Sequence, residues 1–212
     1  MIRSLRPDDA PALVALRRHA LEIEPFAFAA SLEDDRALSI DFVRSALADE
    51  SEQGVFGHLH GGDLTGMVGV MRDPKAKRRH TAMIWGMYVT PSARNAGVGR
   101  ALVEAAIAFA RRWPGVDLLH LGVTETALPA RRLYERLGFR PWGREPRALQ
   151  WQGRFVDEHH LVLALDRRGR RLSVPRDRPR TRHLGECRPT VLPSVSMTIA
   201  KYPHPSLMKV FG

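Results

Sequence analysis

The stretch YVTPSARNAGVGRALVEAA, residues 88–106, switches pattern halfway: an apolar run suited to a strand passes through a loop rich in arginine and glycine into a run of helical period. A strand that feeds a glycine loop opening a helix brings unpaired backbone N–H groups together with the positive end of the helix dipole. That geometry holds phosphate. Two familiar versions are excluded. A P-loop needs Lys and Ser or Thr after its last glycine, and here Gly99 is followed by Arg100 and Ala101. A dinucleotide fingerprint needs a third glycine where this chain has Leu102, and belongs after the first strand of a βαβ unit. What remains is R-x-x-G-x-G, spelled Arg94, Asn95, Ala96, Gly97, Val98 and Gly99.

Around this loop the alternation of patterns predicts the order β-α-α-β-β-β-α-β-α-β-β. Residues 2–6 read as a short strand, and Asp8 or Asp9 is placed to cap a helix striped by Leu13, Leu16, Ala20 and Leu21. EPFAFAASLEDD, residues 24–35, breaks that helix, and a second follows with Leu38, Phe42, Val43 and Leu47 in register. VFGHLHGGDLTGMVGVM reads as a hairpin turning at Gly61 and Gly62, and TAMIWGMYV as a long strand. After the loop, Leu102, Ala105, Ala106 and Phe109 stripe a helix, and DLLHLGVT makes a strand. Ala130, Leu133, Tyr134 and Leu137 stripe another helix, closed by Gly138. FRPWG starts a strand, and QWQGRFVDEHHLVLAL predicts a last hairpin turning near Gln152 and Gly153.

The net charge of +10 points toward nucleic acid only if the basic residues lie on the folded part. They do not. Residues 1–166 carry 22 Lys and Arg against 21 Asp and Glu, whereas residues 167–212 carry 11 against 2, with six prolines and no sustained period. The chain therefore divides into a domain over 1–166 and a basic, proline-rich tail over 167–212, read as disordered. The single cysteine, Cys187, excludes an internal disulfide, and no apolar run reaches the roughly 18 residues needed to cross a bilayer. A cytoplasmic location is the expectation.

A second motif joins the first. ARRLYERLGF, residues 130–139, has the pattern A-x-x-L-Y-x-x-x-G-F. With R-x-x-G-x-G at this spacing, residues 1 to about 166 resemble the GNAT family, the Gcn5-related N-acetyltransferases. The resemblance implies an α/β (α+β) fold: a mixed, mostly antiparallel sheet of about seven strands flanked by about four helices. It implies acetyl-CoA as acyl donor, with no metal. The pyrophosphate would lie on the amides of residues 94–100. Gly97 and Gly99 would admit it without a Cβ, and Arg94 and Arg100 would add charge-assisted contacts. The backbone of Met87, Tyr88 and Val89 would pair with the pantetheine arm beside a bulge, one N–H near Val89 polarising the thioester carbonyl.

The same resemblance gives Tyr134 the role of acid toward the departing thiolate, whose conjugate acid has a pKa near about 8.5. The base is open among Glu22, Glu24, His120, Glu125, His159 and His160, with Glu125 the first choice as a catalytic residue. The chain departs from the family at Ala127, where Asn is common; Thr126 or Glu125 are the replacements. The acceptor site falls on EIEPFAFAASLEDD and EPRALQWQGRFVDEHH, giving Glu24, Phe26, Phe28, Trp151 and His159 as substrate-binding residues. A cationic amine with an apolar portion suits that mixture. His159 and His160 point to opposite faces of one strand, which argues against a metal site.

The expected function is an acetyl-CoA-dependent N-acetyltransferase acting on a primary amine of a small molecule or protein, by direct attack in a ternary complex. The alternative is a non-catalytic acyl-CoA-binding or nucleic-acid-associated module using the basic tail. No membrane partner is expected, and a homodimer is compatible with both.

Overall fold

The structure, a computed structural model, describes residues 1–165. The tail and Cys187 lie outside the described residues. Seven strands and four α-helices follow the order read from the sequence: β1 (Ile2–Ser4), α1 (Ala10–Ile23), α2 (Ile40–Ala48), β2 (Gln53–His60), β3 (Asp63–Arg72), β4 (Thr81–Val89), α3 (Val98–Ala110), β5 (Leu118–Thr124), α4 (Leu128–Arg136), β6 (Arg140–Trp151) and β7 (Arg154–Ala164). They build one sheet in the order β1-β2-β3-β4-β5-β7-β6. All neighbours are antiparallel except β4 and β5. That parallel pair needs a crossover, and α3 supplies it.

Strand alternation sends two cores to the two faces. Phe56, Val68, Val70, Ile84, Leu119, Leu121 and Leu161 pack with Leu102, Val103 and Ala106 of α3 and Tyr134 of α4. On the other face Val55, Met67 and Tyr88 pack with Leu13, Leu16 and Leu21 of α1 and Val43 and Leu47 of α2. The two-residue turn at Gly61 and Gly62 has φ of 61° and 96°, the left-handed pair that twists with the strands. The β6–β7 turn uses Gln152 and Gly153 in the same way, with φ of 46° and 78°. One detail differs from the sequence reading. Asp9 stands at the head of α1, but its carboxylate accepts from Arg3 at 2.7 Å and from the Arg6 backbone N–H at 2.7 Å, and caps no α1 amide. FRPWG opens β6, as read from the sequence, and the strand runs on to the final turn.

The loop between α1 and α2 is fixed by a buried ion pair. Arg17 Nε of α1 donates to Asp35 Oδ2 at 2.6 Å, with both side chains withdrawn from water. Asp35 Oδ1 also accepts from the Ala37 N–H at 2.8 Å, and the Arg17 guanidinium lies 4.3 Å over the Phe28 ring. Removing one partner of such a pair leaves an uncompensated buried charge. Asp35→Ala is expected to cost about 3 to 5 kcal/mol in urea unfolding, far more than an exposed pair such as Arg44–Asp41.

His120 of β5 is half-buried beside Trp142, with ring centroids 6.2 Å apart. Burial first, then the charges of Arg78 and nearby histidines, press its pKa down to about 4. Between about pH 6.5 and 4 the unfolded chain binds a proton that the folded imidazole refuses, so stability falls on acidification through that window. His120→Leu is expected to remove on the order of 2 kcal/mol of that loss, read from the difference between melts at pH 7 and pH 4.5.

Candidate active site

The glycine loop turns on two left-handed residues, Asn95 at φ 62° and Gly97 at φ 77°. Gly97 is the N-cap of α3 and no side chain caps the helix, so the first-turn amides face outward without a side-chain acceptor. A Cβ on Gly97 would meet nothing within 4 Å, so within the protein this glycine is required by its left-handed conformation alone. Gly99 is different. A Cβ there would stand 3.2 Å from Met87 Cε and 3.3 Å from Leu133 Cδ2, so this glycine lets α3 close on β4 and α4.

The two arginines are engaged within the protein. Arg94 Nε donates to the Val89 carbonyl at 3.0 Å, and its Nη2 donates to Glu24 Oε1 at 2.9 Å. Arg100 pairs with Glu104 one turn along α3 at 2.8 Å and is largely exposed. Arg94 thus ties the glycine loop to both the end of β4 and the end of α1. The Glu24 carboxylate is turned toward this guanidinium.

A cleft opens beside the loop for two reasons. First, β4 and β5 pair only at Thr81–Leu118, Ala82–Leu119 and Met83–His120, and then part. Second, β4 carries one extra residue: Met67 pairs with Tyr88 and Gly69 with Trp85, so Gly86 and Met87 stand against Val68 alone. Gly86 takes φ 62° at this bulge. The facing edges of β4 beyond Met83 and β5 beyond His120 therefore have no strand partner. The cleft between them is walled by Trp85, Gly86 and Met87 of β4, Leu121 to Thr124 of β5, Phe28 of the α1–α2 loop, and Ala130 and Tyr134 of α4.

Several of the residues named from sequence meet here. Met87 lines the cleft directly. Tyr88 and Val89 send their side chains into the two cores, so only their backbone is available to the cleft. Tyr134 is buried, its ring edge-on to Phe139 with centroids 5.8 Å apart, and burial pushes its phenol well above the ordinary range. It therefore stays a proton-bearing hydroxyl. Phe28 forms the opposite wall, and Phe26 lies under the Arg154 guanidinium at 5.2 Å.

Other named residues lie apart from the cleft lining. Glu125 accepts from Arg144 at 3.3 Å and from the Asp157 N–H at 3.3 Å. His159 turns to α4, where its Nε2 accepts from Arg131 at 3.2 Å; burial and the neighbouring arginines hold its pKa down. Trp151 stands at the end of β6, beside the hairpin turn. Glu158, which the sequence reading placed within the acceptor segment, lies over Gly122 of the cleft wall, so close that a Cβ on that glycine would be 2.5 Å from Oε1. The signal was the unusual glycine in the middle of LLHLGVT.

Comparison with known proteins agrees with this geometry. A family model described as the acetyltransferase (GNAT) family matches residues 13–139, more than half of the chain. Mycothiol acetyltransferase of Salinispora tropica is 41% identical over 59 residues, 28% of this chain and 19% of that protein. The L-amino acid N-acetyltransferase AaaT of Escherichia coli K12 is 28% identical over 101 residues, 48% of this chain and 62% of that protein. The chain thus spans less than two thirds of either relative. Among solved structures, yncA from Salmonella typhimurium with its cofactor acetyl-CoA superposes with a TM-score of 0.68 at 24% identity, over 78% of this chain and 94% of that one. The seven-stranded sheet with its split between β4 and β5, the R-x-x-G-x-G loop and the family match place this chain in the GNAT acetyltransferase family.

Proposed function

We propose that the protein transfers an acetyl group from acetyl-CoA to a primary amine by direct attack within a ternary complex. The observation that carries this reading is the cleft between β4 and β5, lined by the buried hydroxyl-bearing Tyr134 and walled by the strand, β4, that leads into the glycine loop and the uncapped amides of α3. The residues fit the group. Unpartnered strand edges suit an extended amide-bearing arm, and the open space at Gly97 suits a phosphate. When bound, acetyl-CoA supplies an activated acyl carbon.

The chain then does three things. The amides from Asn95 to Gly99 hold the anionic end, with Arg100 exposed at the rim and Arg94 close by. The β4 backbone at Met87, Tyr88 and Val89 orients the thioester, and an N–H there is placed to meet the developing oxyanion. Tyr134 keeps its proton at neutral pH and is available to protonate the leaving sulfur. The apolar walls at Phe28 and Trp85 favour an acceptor with an apolar part. A small amine acceptor is supported by the E. coli relative, named for acetylating L-amino acids.

Two substitutions test the assignment. Gly97→Val, which forces a β-branched residue to φ 77° and fills the phosphate space, is expected to weaken acetyl-CoA binding at least 100-fold by calorimetry. Tight binding retained in that variant would argue against the loop as the phosphate site. Tyr134→Phe is expected to lower kcat by about 100-fold while acetyl-CoA affinity changes little. An unchanged kcat would remove Tyr134 from proton transfer.

A further inference from the structure

Among the described residues, every well-buried aspartate has an arginine. Asp35 pairs with Arg17, Asp73 with Arg78 and Asp157 with Arg144. Glu158 does not. Its side chain is only 28% exposed, yet among the described residues its one ionic neighbour is His160, 3.8 Å away, and no hydrogen-bond donor reaches it. A carboxylate withdrawn from water without a cation is costly unless a cation arrives from elsewhere.

Its position says which cation. Leu121 and Val123 of β5 are buried in the core under α3 and α4, so Gly122 between them faces the opposite side, where the α1–α2 loop rather than a helix stands over the sheet. Gly122 is exposed although it lies mid-strand, and it lines the cleft. The missing Cβ is what lets the Glu158 carboxylate lean over the strand. Phe28 and Trp85 line the cleft together with Gly122, and next to Glu158 on the same strand face His160 packs against Trp142, ring centroids 5.5 Å apart.

Resting on the transfer reading above, we propose that Glu158 binds the ammonium of the acceptor, a primary amine with an apolar tail, and accepts its proton. The step balances. One ammonium proton passes to a carboxylate oxygen of Glu158, the freed lone pair forms the C–N bond to the acyl carbon, the C–S bond breaks, and a second nitrogen proton goes to the sulfur, leaving an amide and a thiol. From Glu158 the first proton has an outward route through His160 to Glu145, whose carboxylate lies 3.3 Å from His160 Nε2 at the surface. The charged groups facing Glu158 are His160 from β7 and Glu145 from β6, while His120 stands two residues before Gly122 on the same face of β5; the α1–α2 loop adds the apolar Ala27 and Phe28. Burial raises the Glu158 pKa, Glu145 adds to this and His160 opposes it, which makes the carboxylate a stronger base than an exposed one.

The test uses phenethylamine as probe and the full chain. With CoA saturating, calorimetry is expected to show phenethylammonium binding that Glu158→Gln weakens at least tenfold while CoA affinity is unchanged. With acetyl-CoA, Glu158→Gln is expected to lower kcat/KM at pH 7 about 100-fold and to recover as pH rises and the free amine forms in solution. Gly122→Ala, which displaces the carboxylate without removing it, is expected to share both defects. Equal probe binding by wild type and Glu158→Gln, or no binding by wild type, overturns the proposal. So does wild-type turnover whose rate and pH profile Glu158→Gln leaves unchanged, and in that case the transferase reading stands. Glu158-dependent binding with no acetyl transfer by wild type sinks the transferase reading and leaves the ammonium site in place.

Discussion

The parting of β4 from β5 is the constraint on which the rest of this structure depends. Three residue pairs hold the two strands parallel, and after Met83 and His120 the ladder stops while both strands continue. Backbone groups on two facing edges are left for water or a ligand. The gap persists because each strand is held firmly on its other side: β4 by β3, β5 by β7 along its whole length. The bulge at Gly86 and Met87 then turns β4 away and keeps the gap from closing. Without these flanking ladders, unpaired edges would close on one another.

Two further devices hold the walls of that gap. The buried Arg17–Asp35 pair anchors the α1–α2 loop, so that Phe28 stands over the cleft with the guanidinium on its ring. Arg94 joins the end of α1 to the glycine loop through Glu24 and the Val89 carbonyl. The donor side and the acceptor side of the cleft are therefore in mechanical contact through one exposed side chain. Phosphate arriving at the loop would compete with Glu24 for the Arg94 guanidinium, and the end of α1 would feel the change.

Most of the fold was legible because its signals are local. The double glycines at 61 and 62, the break at residues 24–35 and the closing Gly138 each mark a place where backbone conformation is forced, and the strands and helices between them came out in the right order. The position of the glycine loop between β4 and α3, and of Tyr134 on α4, was legible for the same reason, from short patterns with a fixed spacing. Residues whose role depends on what lies across the sheet were not. Glu125, His159 and Trp151 have suitable chemistry, but their partners Arg144, Arg131 and the hairpin turn take them away from the cleft lining. Asp9 has the right type and place for a cap and is claimed instead by Arg3. The side-chain chemistry of one strand cannot reveal which neighbour will claim it.

Glu158 shows the limit most plainly. In DEHH four polar residues follow one another on a strand, and alternation sends them to two faces with opposite surroundings. Asp157 goes to Arg144 and His159 to Arg131, among arginines of α4 and β6. Glu158 and His160 go to the other face, where no arginine pairs with Glu158 and a glycine has cleared the space. The distinguishing fact is a residue that is absent, the Cβ of Gly122, together with a cation that the fold does not provide. Among the described residues the other buried carboxylates are paired with arginine, and that contrast is the ground for reading Glu158 as the partner of a positive charge from outside.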